Sequence, residues 1–203
     1  MFESIQNLRL RLKPGHESWP LPIFQQGFYL RARAGLPMAK ILEEVGFSRK
    51  YLEEKAQTVF LDGSAVDDLD RTLVEGDSVI ALSGAMPGLV GAILRKGSPI
   101  AALRSKTGAE TGPRSAEDTV YTLRLKLFNT IVEEMGPGLL HRGILLKGSD
   151  LNEFLSGRRE LLEEALLEAE LDGARVSLAE LLGGNSIRSN YVALQIISHS
   201  SSV

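Results

Sequence analysis

The residues able to act as acids, bases or metal ligands are few in type and scattered along the chain. Three histidines are present, His16, His141 and His199, and no two have the i, i+4 spacing that places two ligands on one helix face. Cysteine is absent, which excludes thiolate nucleophiles, iron–sulfur clusters and cysteine-ligated zinc. We therefore predict no metal site.

Carboxylates occur mostly as neighbouring pairs, such as Glu43-Glu44 and Glu163-Glu164. Neighbours in a helix point about 100° apart, so these pairs indicate solvated helix faces rather than acid–base pairs. The densest cluster, Asp67-Asp68-Leu69-Asp70, could hold a cation with loop carbonyls, but it lacks the acidic ladder and glycine of a calcium loop. There is neither a Gly-x-Ser-x-Gly elbow nor a glycine-rich phosphate loop. The sequence thus predicts no catalytic residue and no cofactor.

Composition describes an ordinary globular protein, with 43% hydrophobic and 24% charged residues in 203 and a net charge of −3. Residues 1–104 carry 13 Lys and Arg against 12 Asp and Glu, and residues 105–203 carry 10 against 14. Since neither half is a basic field, no nucleic acid is expected as a partner. The alternating basic residues of Leu8–Lys13 are interpreted as the solvated face of a strand.

The longest apolar stretch, Val79 to Leu94, is too short to span a bilayer and is broken by glycine and proline. The first residues lack the basic and apolar regions of a signal peptide. We therefore expect no membrane association and a cytoplasmic location.

An internal repeat is the clearest feature of the chain. Leu8–Leu12 matches Leu123–Leu127, and Leu61-Asp62-Gly63 matches Leu171-Asp172-Gly173. Three further pairs of segments match in the same order: 27–30 with 143–146, 51–54 with 161–164, and 79–82 with 191–194. Between the copies, residues 105–118 are small or charged without periodicity, which is typical of an exposed linker. The sequence predicts a domain at 1–104, a linker at 105–118 and a second, diverged domain at 119–203.

Each copy predicts an α+β unit. Alternating strands are expected at 5–13 and 120–128, and second strands at 27–33 and 143–147. A helix follows over 37–45, ending at Gly46. The Asp-Gly pairs predict hairpins in which both turn residues have positive φ, and a closing strand is expected at 78–82.

This order resembles the ubiquitin-like β-grasp fold, and in particular its sulfur-carrier branch of ThiS/MoaD type. The residues that carry the resemblance are Ile41-Leu42-Glu43-Glu44-Val45-Gly46, Leu61-Asp62-Gly63 with Val66, and Leu73 to Leu82 around Gly76-Asp77. The resemblance implies two tandem β-grasp-like domains, each a mixed sheet with one main helix. In that family the working part is a free C-terminal Gly-Gly, whereas this chain continues past Gly88 to Val203. The fold is therefore expected here and the carrier activity is not.

The end of the first copy is the candidate interaction segment. Residues 89–103 are apolar apart from Arg95, Lys96 and a few small polar residues, and we predict a strand–turn–strand hairpin that must be buried against its own domain, the other copy or another chain. The residues selected for contact with a partner are Gly84, Met86, Pro87, Gly88, Leu89, Val90 and Ile93.

We predict a non-enzymatic protein-interaction module of tandem β-grasp-like domains, with an unknown protein partner or a second copy of the chain. Two alternatives stay open: a sulfur-carrier-like protein active after trimming near Gly88, and an enzyme with a site between the two domains.

Overall fold

A computed structural model describes residues 4–85, 88–98, 119–184 and 186–198. The chain divides into two compact units, unit 1 with Met1–Phe28 and Glu133–Val203, and unit 2 with Tyr29–Val132. Both contain helices and a sheet with parallel and antiparallel strand pairs, so the predicted α+β class is confirmed. Within the described ranges, no helix combines the length and apolar character needed to cross a membrane.

Unit 2 contains five strands and three helices among its described residues. They are β2 (Phe28–Arg33), α2 (Met38–Val45), α3 (Arg49–Glu54), β3 (Thr58–Leu61), β4 (Ser64–Ala65), β5 (Val79–Ser83), α4 (Gly88–Leu94) and β6 (Val120–Phe128). The strands lie in the order β4-β3-β5-β6-β2. The pair β5–β6 is parallel, and β3 is antiparallel to both β4 and β5.

Unit 1 is assembled from both ends of the chain. Its elements are β1 (Gln6–Leu12), α1 (Ile23–Gln26), α5 (Thr130–Arg142, of which the first three residues belong to unit 2), β7 (Ile144–Lys147), α6 (Gly148–Ser156), α7 (Arg159–Ala165), β8 (Leu166–Leu171), β9 (Ala174–Val176), α8 (Leu178–Leu182) and β10 (Tyr191–Ser198). The strand order is β7-β10-β1-β8-β9, and β1 is parallel to β10 and antiparallel to β8.

Alternation of leucine with polar residues forms the two long strands as predicted. In β1, Leu8, Leu10 and Leu12 are buried, while in β6 Leu123, Leu125 and Leu127 are buried. One face of each strand therefore enters a core, since successive side chains point to opposite faces. Helix α2 likewise buries the four apolar residues on one side and ends at Gly46, whose φ of 112° lies in the left-handed region.

Both predicted Asp-Gly hairpins are confirmed. Asp62 and Gly63 have φ of 49° and 80°, and Asp172 and Gly173 have φ of 51° and 81°. Each aspartate also holds the strand next to the hairpin. Asp62 exchanges two hydrogen bonds with Val79 at the start of β5, and Asp172 exchanges two with Asn7 in β1. The Asp62-Gly63 turn thus anchors β5, the closing strand of its own copy. The Asp172-Gly173 turn, which has the same conformation, anchors β1, the first strand of the chain.

The two units differ from the predicted consecutive domains at 1–104 and 119–203. Strand β1 lies between β8 and β10, and β6 lies beside β5. The reason is physical: an alternating strand specifies which face is buried but not which neighbour it pairs with. Residues 105–118, predicted as a linker, lie outside the described residues.

The predicted hairpin over 89–103 is wrong in its described part. Residues 88–94 form helix α4, and Arg95 N–H continues the helical pattern by donating to the Gly91 carbonyl at 3.0 Å. A short apolar run gives no periodicity by which strand and helix can be separated, so the sequence did not distinguish the two. Residues 99–103 lie outside the described residues.

Candidate interaction surface on the sheet of unit 2

The interaction segment chosen from sequence is described only in part. Met86, Pro87 and the side chains of Leu89 and Val90 lie outside the described residues. Gly84 is buried where a Cβ would collide with the hydroxyl of Thr130. Gly88 is exposed at the start of α4, and Ile93 is half-buried in it. The described part is therefore a close-packed turn followed by a short helix.

The histidines and the acidic cluster do not form a shared site among the described residues. His16 lies in the loop after β1, His141 in the last turn of α5, and His199 outside the described residues. No group of three metal-ligating side chains occurs in the described part of the chain. The carboxylates of the cluster are used locally: Asp68 accepts from the Asp70 and Arg71 amides, and Asp70 binds Arg49 at 2.5 Å.

A cavity of about 300 Å³ lies beside that cluster and is lined in part by Leu52, Leu69 and Lys96. Lys96 Nζ donates to the Leu52 carbonyl at 2.8 Å, which satisfies an orphan carbonyl in the last turn of α3. Burial lowers the pKa of the Lys96 amino group, against the opposing charges of Glu53 and Asp67. Lys96 is thus used to cap α3, and we assign no ligand to this cavity.

The outer face of the unit 2 sheet, opposite the buried leucines of β6, has a different composition. We call it the basic face, and its residues are Tyr29, Arg31 and Arg33 on β2, Thr122, Arg124 and Lys126 on β6, Val79 and Ala81 on β5, and Phe60 on β3.

Strand register places these side chains on one surface. Ala81 pairs with Phe60 on one side and with Lys126 on the other. Val79, two residues earlier on β5, pairs with Arg124 on β6. Directly paired residues project from the same face of a sheet, and residues two apart along a strand share that face. The small side chains of β5 therefore form a strip between Phe60 and the cations of β6.

Charge on this face has one sign. The five strands of unit 2 contain Arg31, Arg33, Arg124 and Lys126 and no aspartate or glutamate. Arg33 is exposed and Lys126 is half-buried. Neither side chain has an ion pair or hydrogen bond with any residue in the described ranges. Their positive charge is therefore available to an anionic group from outside.

Aromatic rings lie among these cations. The guanidinium carbon of Arg124 is 5.6 Å from the centre of the Tyr29 ring, a cation–π contact that holds both on the outer side of the sheet. Phe60 is partly exposed beside Ala65 and Ala81, with which it pairs. The face thus offers positive charge and ring surface side by side.

The outer face of the unit 1 sheet is polar but internally neutralised. Arg9 on β1 contacts Glu170 on β8 at 3.4 Å, and Arg11 contacts Glu168 at 3.5 Å. Arg175 on β9 also binds Glu168, and its hydrogen bond lowers the pKa of that carboxyl. The predicted solvated strand face is present here as cross-strand ion pairs.

Sequence reasoning missed the basic face because it summed charge over halves of the chain. The acidic residues of unit 2 that the structure describes lie in helices, turns and loops, for example Glu43, Glu54 and Asp67, and they cancel the cations in any such sum. A usable signal was present, since Phe28–Arg33 and Val120–Phe128 each have two basic residues spaced two apart while the unit's strands lack acids.

Comparison of this chain with protein-family models, with curated proteins and with solved structures finds no match.

Proposed function

We propose that this chain is a non-enzymatic interaction module of two β-grasp-like units, and that the basic face of unit 2 binds a negatively charged macromolecule. The observation that carries the proposal is the set of four cations on strands that contain no carboxylate. A partner of opposite charge gains from complementarity there, and positive charge also accelerates the encounter.

The framework supports the proposal as a rigid scaffold. Unit 2 contains part of the order expected from the resemblance, namely strand β2, helix α2, the β3–β4 hairpin and strand β5, whereas the first strand of that copy, β1, belongs to unit 1 and β6 lies beside β5. The inner residues Ile80, Leu82 and Leu125 are fully buried, so the outward residues of the same strands are held in fixed positions. Trimming near Gly88 and a site between the two copies stay predictions.

A photo-crosslinking side chain at Thr122, on the basic face, tests this proposal in the native host. We expect crosslinked partner at position 122 and little at Gln195, which lies on the neutralised face of unit 1. Crosslinking from 122 should be lost when Lys126→Glu is added and kept with Lys50→Glu, because Lys50 lies on α3 and its side chain is 80% exposed. Equal yields from positions 122 and 195 would contradict the proposal.

A further inference from the structure

We infer that the partner of the basic face is a single-stranded nucleic acid, whose phosphates contact the cations while its bases stack on the partly exposed ring of Phe60. This inference rests on the proposed function and names the class of partner that the same face binds.

The cations follow two neighbouring strands. Arg31 and Arg33 are two residues apart on β2, and Arg124 and Lys126 are two apart on β6, so the members of each pair are about 6.7 Å apart along their strand. Adjacent strands are about 4.8 Å apart. The four charges therefore form one continuous patch, as a flexible, repeatedly charged backbone requires.

Ring surface accompanies the charge. Phe60 borders the strip of small residues on β5, and Ala81 separates it from Lys126 by one strand. The side chains of Val79 and Ala81 beside Phe60 are short and half-buried, so we place the bases against the exposed part of the Phe60 ring. Stacking of bases on aromatic side chains beside basic residues is how sheet surfaces bind unpaired strands without sequence preference.

The two other polyanions that fit the charge use less of this surface. Bases in a duplex are stacked on each other and present only their edges in the grooves, so Phe60 gains no stacking partner. An acidic protein segment would pair with the cations alone and has no requirement for a ring beside a shallow strip. The combination of charge and ring therefore favours an unpaired strand.

The test uses the full chain with three probes: a fluorescein-labelled 12-mer of uridylate, the same length of duplex RNA, and labelled poly-L-glutamate. Anisotropy should show binding of the single strand in preference to the other two. If all four cations contact phosphates, the slope of log K against log salt should be about −3, and it should be shallower in Lys126→Glu.

Three variants separate the contributions to affinity of charge on the basic face, of the Phe60 ring and of charge elsewhere on the chain. Lys126→Glu should weaken binding of the 12-mer about tenfold or more, and Phe60→Leu, which keeps an apolar side chain without a ring, should weaken it about tenfold. Lys50→Glu makes the same charge change on α3 and should leave affinity within about twofold. Urea midpoints of the three variants check that each is folded.

The outcomes are distinguishable. Equal binding of poly-L-glutamate and the 12-mer, with no effect of Phe60→Leu, would overturn the nucleic-acid inference and leave the proposed function standing. Binding that Lys50→Glu weakens as much as Lys126→Glu would overturn the assignment to this face. Absence of binding to all three probes would overturn both proposals.

Discussion

The repeated strands β1 and β6 carry nearly the same sequence and have opposite electrostatic surroundings. Arg9 and Arg11 on β1 face Glu170 and Glu168 on β8. Their counterparts Arg124 and Lys126 on β6 face Val79 and Ala81 on β5. The leucines on the reverse side are buried equally well in both strands.

This difference shows that the neighbouring strand decides what an outward cation does. Beside β8, a cation is used in an intramolecular pair that stabilises the sheet modestly. Beside β5, the paired residues Val79 and Ala81 carry no charge, and the Lys126 side chain has no ion pair or hydrogen bond with any described residue, so its charge stays available to a partner. The apolar positions of the repeat are buried in both copies, while we propose that the polar positions of only one copy, those on β6, take part in binding.

Truncation of equivalent leucines tests the inner half of the comparison and should have the largest effect. Leu10 and Leu125 are both 0% exposed, so Leu10→Ala and Leu125→Ala should each lower the free energy of unfolding by about 3 kcal/mol. Urea unfolding measures this, with Val120→Ala as a control because Val120 is 57% exposed. A large effect in only one strand would break the equivalence of the two inner faces.

Introducing carboxylates on β5 tests the comparison between the outward faces of β1 and β6. Val79→Glu with Ala81→Glu gives Arg124 and Lys126 the partners that Arg9 and Arg11 have. We expect binding of the uridylate 12-mer to fall about tenfold or more, since the cations are then neutralised within the sheet. The double Gln variant provides the matched uncharged control in the same anisotropy assay. Unchanged affinity in the Glu variant would show that the neighbouring strand does not control this surface.

The two hairpins should respond alike, because their turns have the same conformation. Gly63 and Gly173 have φ of +80° and +81° with open space around the position of a Cβ. Gly63→Ala and Gly173→Ala should therefore each cost about 1 kcal/mol, from backbone conformation alone. Gly138→Ala, at an uncrowded position of helix α5, should be neutral or stabilising. Thermal or urea unfolding would reveal any inequality between the hairpins.

The smallest effect concerns the ion pairs of unit 1. The bond from Arg175 lowers the pKa of Glu168 below that of the unfolded chain. Its contribution to stability is therefore present above the unfolded carboxyl pKa, about 4.3, and is lost as pH falls through the lower folded value. Glu168→Gln should be less stable than the wild type at pH 7 and should converge with it in acid.

Urea unfolding across pH measures that convergence. Glu44→Gln is the control, because the Glu44 side chain is exposed and has no ion pair or hydrogen bond with any residue in the described ranges. A stability difference for Glu168→Gln that persists unchanged at low pH would mean that the side chain acts through packing rather than charge.

Local structure was largely predictable because local chemistry enforces it. Alternating leucines required strands near 5–13 and 120–128, Gly46 ended a helix, and two Asp-Gly pairs required tight turns. Helix α4 was not predictable, since its seven apolar or small residues fit a buried strand and a buried helix equally well. Helix α5 was also missed, because Gly136, Pro137 and Gly138 lie within it and all three favour turns.

The sequence by itself determined the elements and the buried face of each, because periodicity and turn chemistry act over a few residues. Only the tertiary structure decided which strand each Asp-Gly turn anchors: Asp62 holds β5 and Asp172 holds β1. Strands β1 and β6 both present alternating apolar residues, and each runs parallel to one neighbour, β10 for β1 and β5 for β6. The sequence of either strand therefore fits the position of the other. That choice of neighbours placed Glu170 and Glu168 opposite Arg9 and Arg11, and Val79 and Ala81 opposite Arg124 and Lys126.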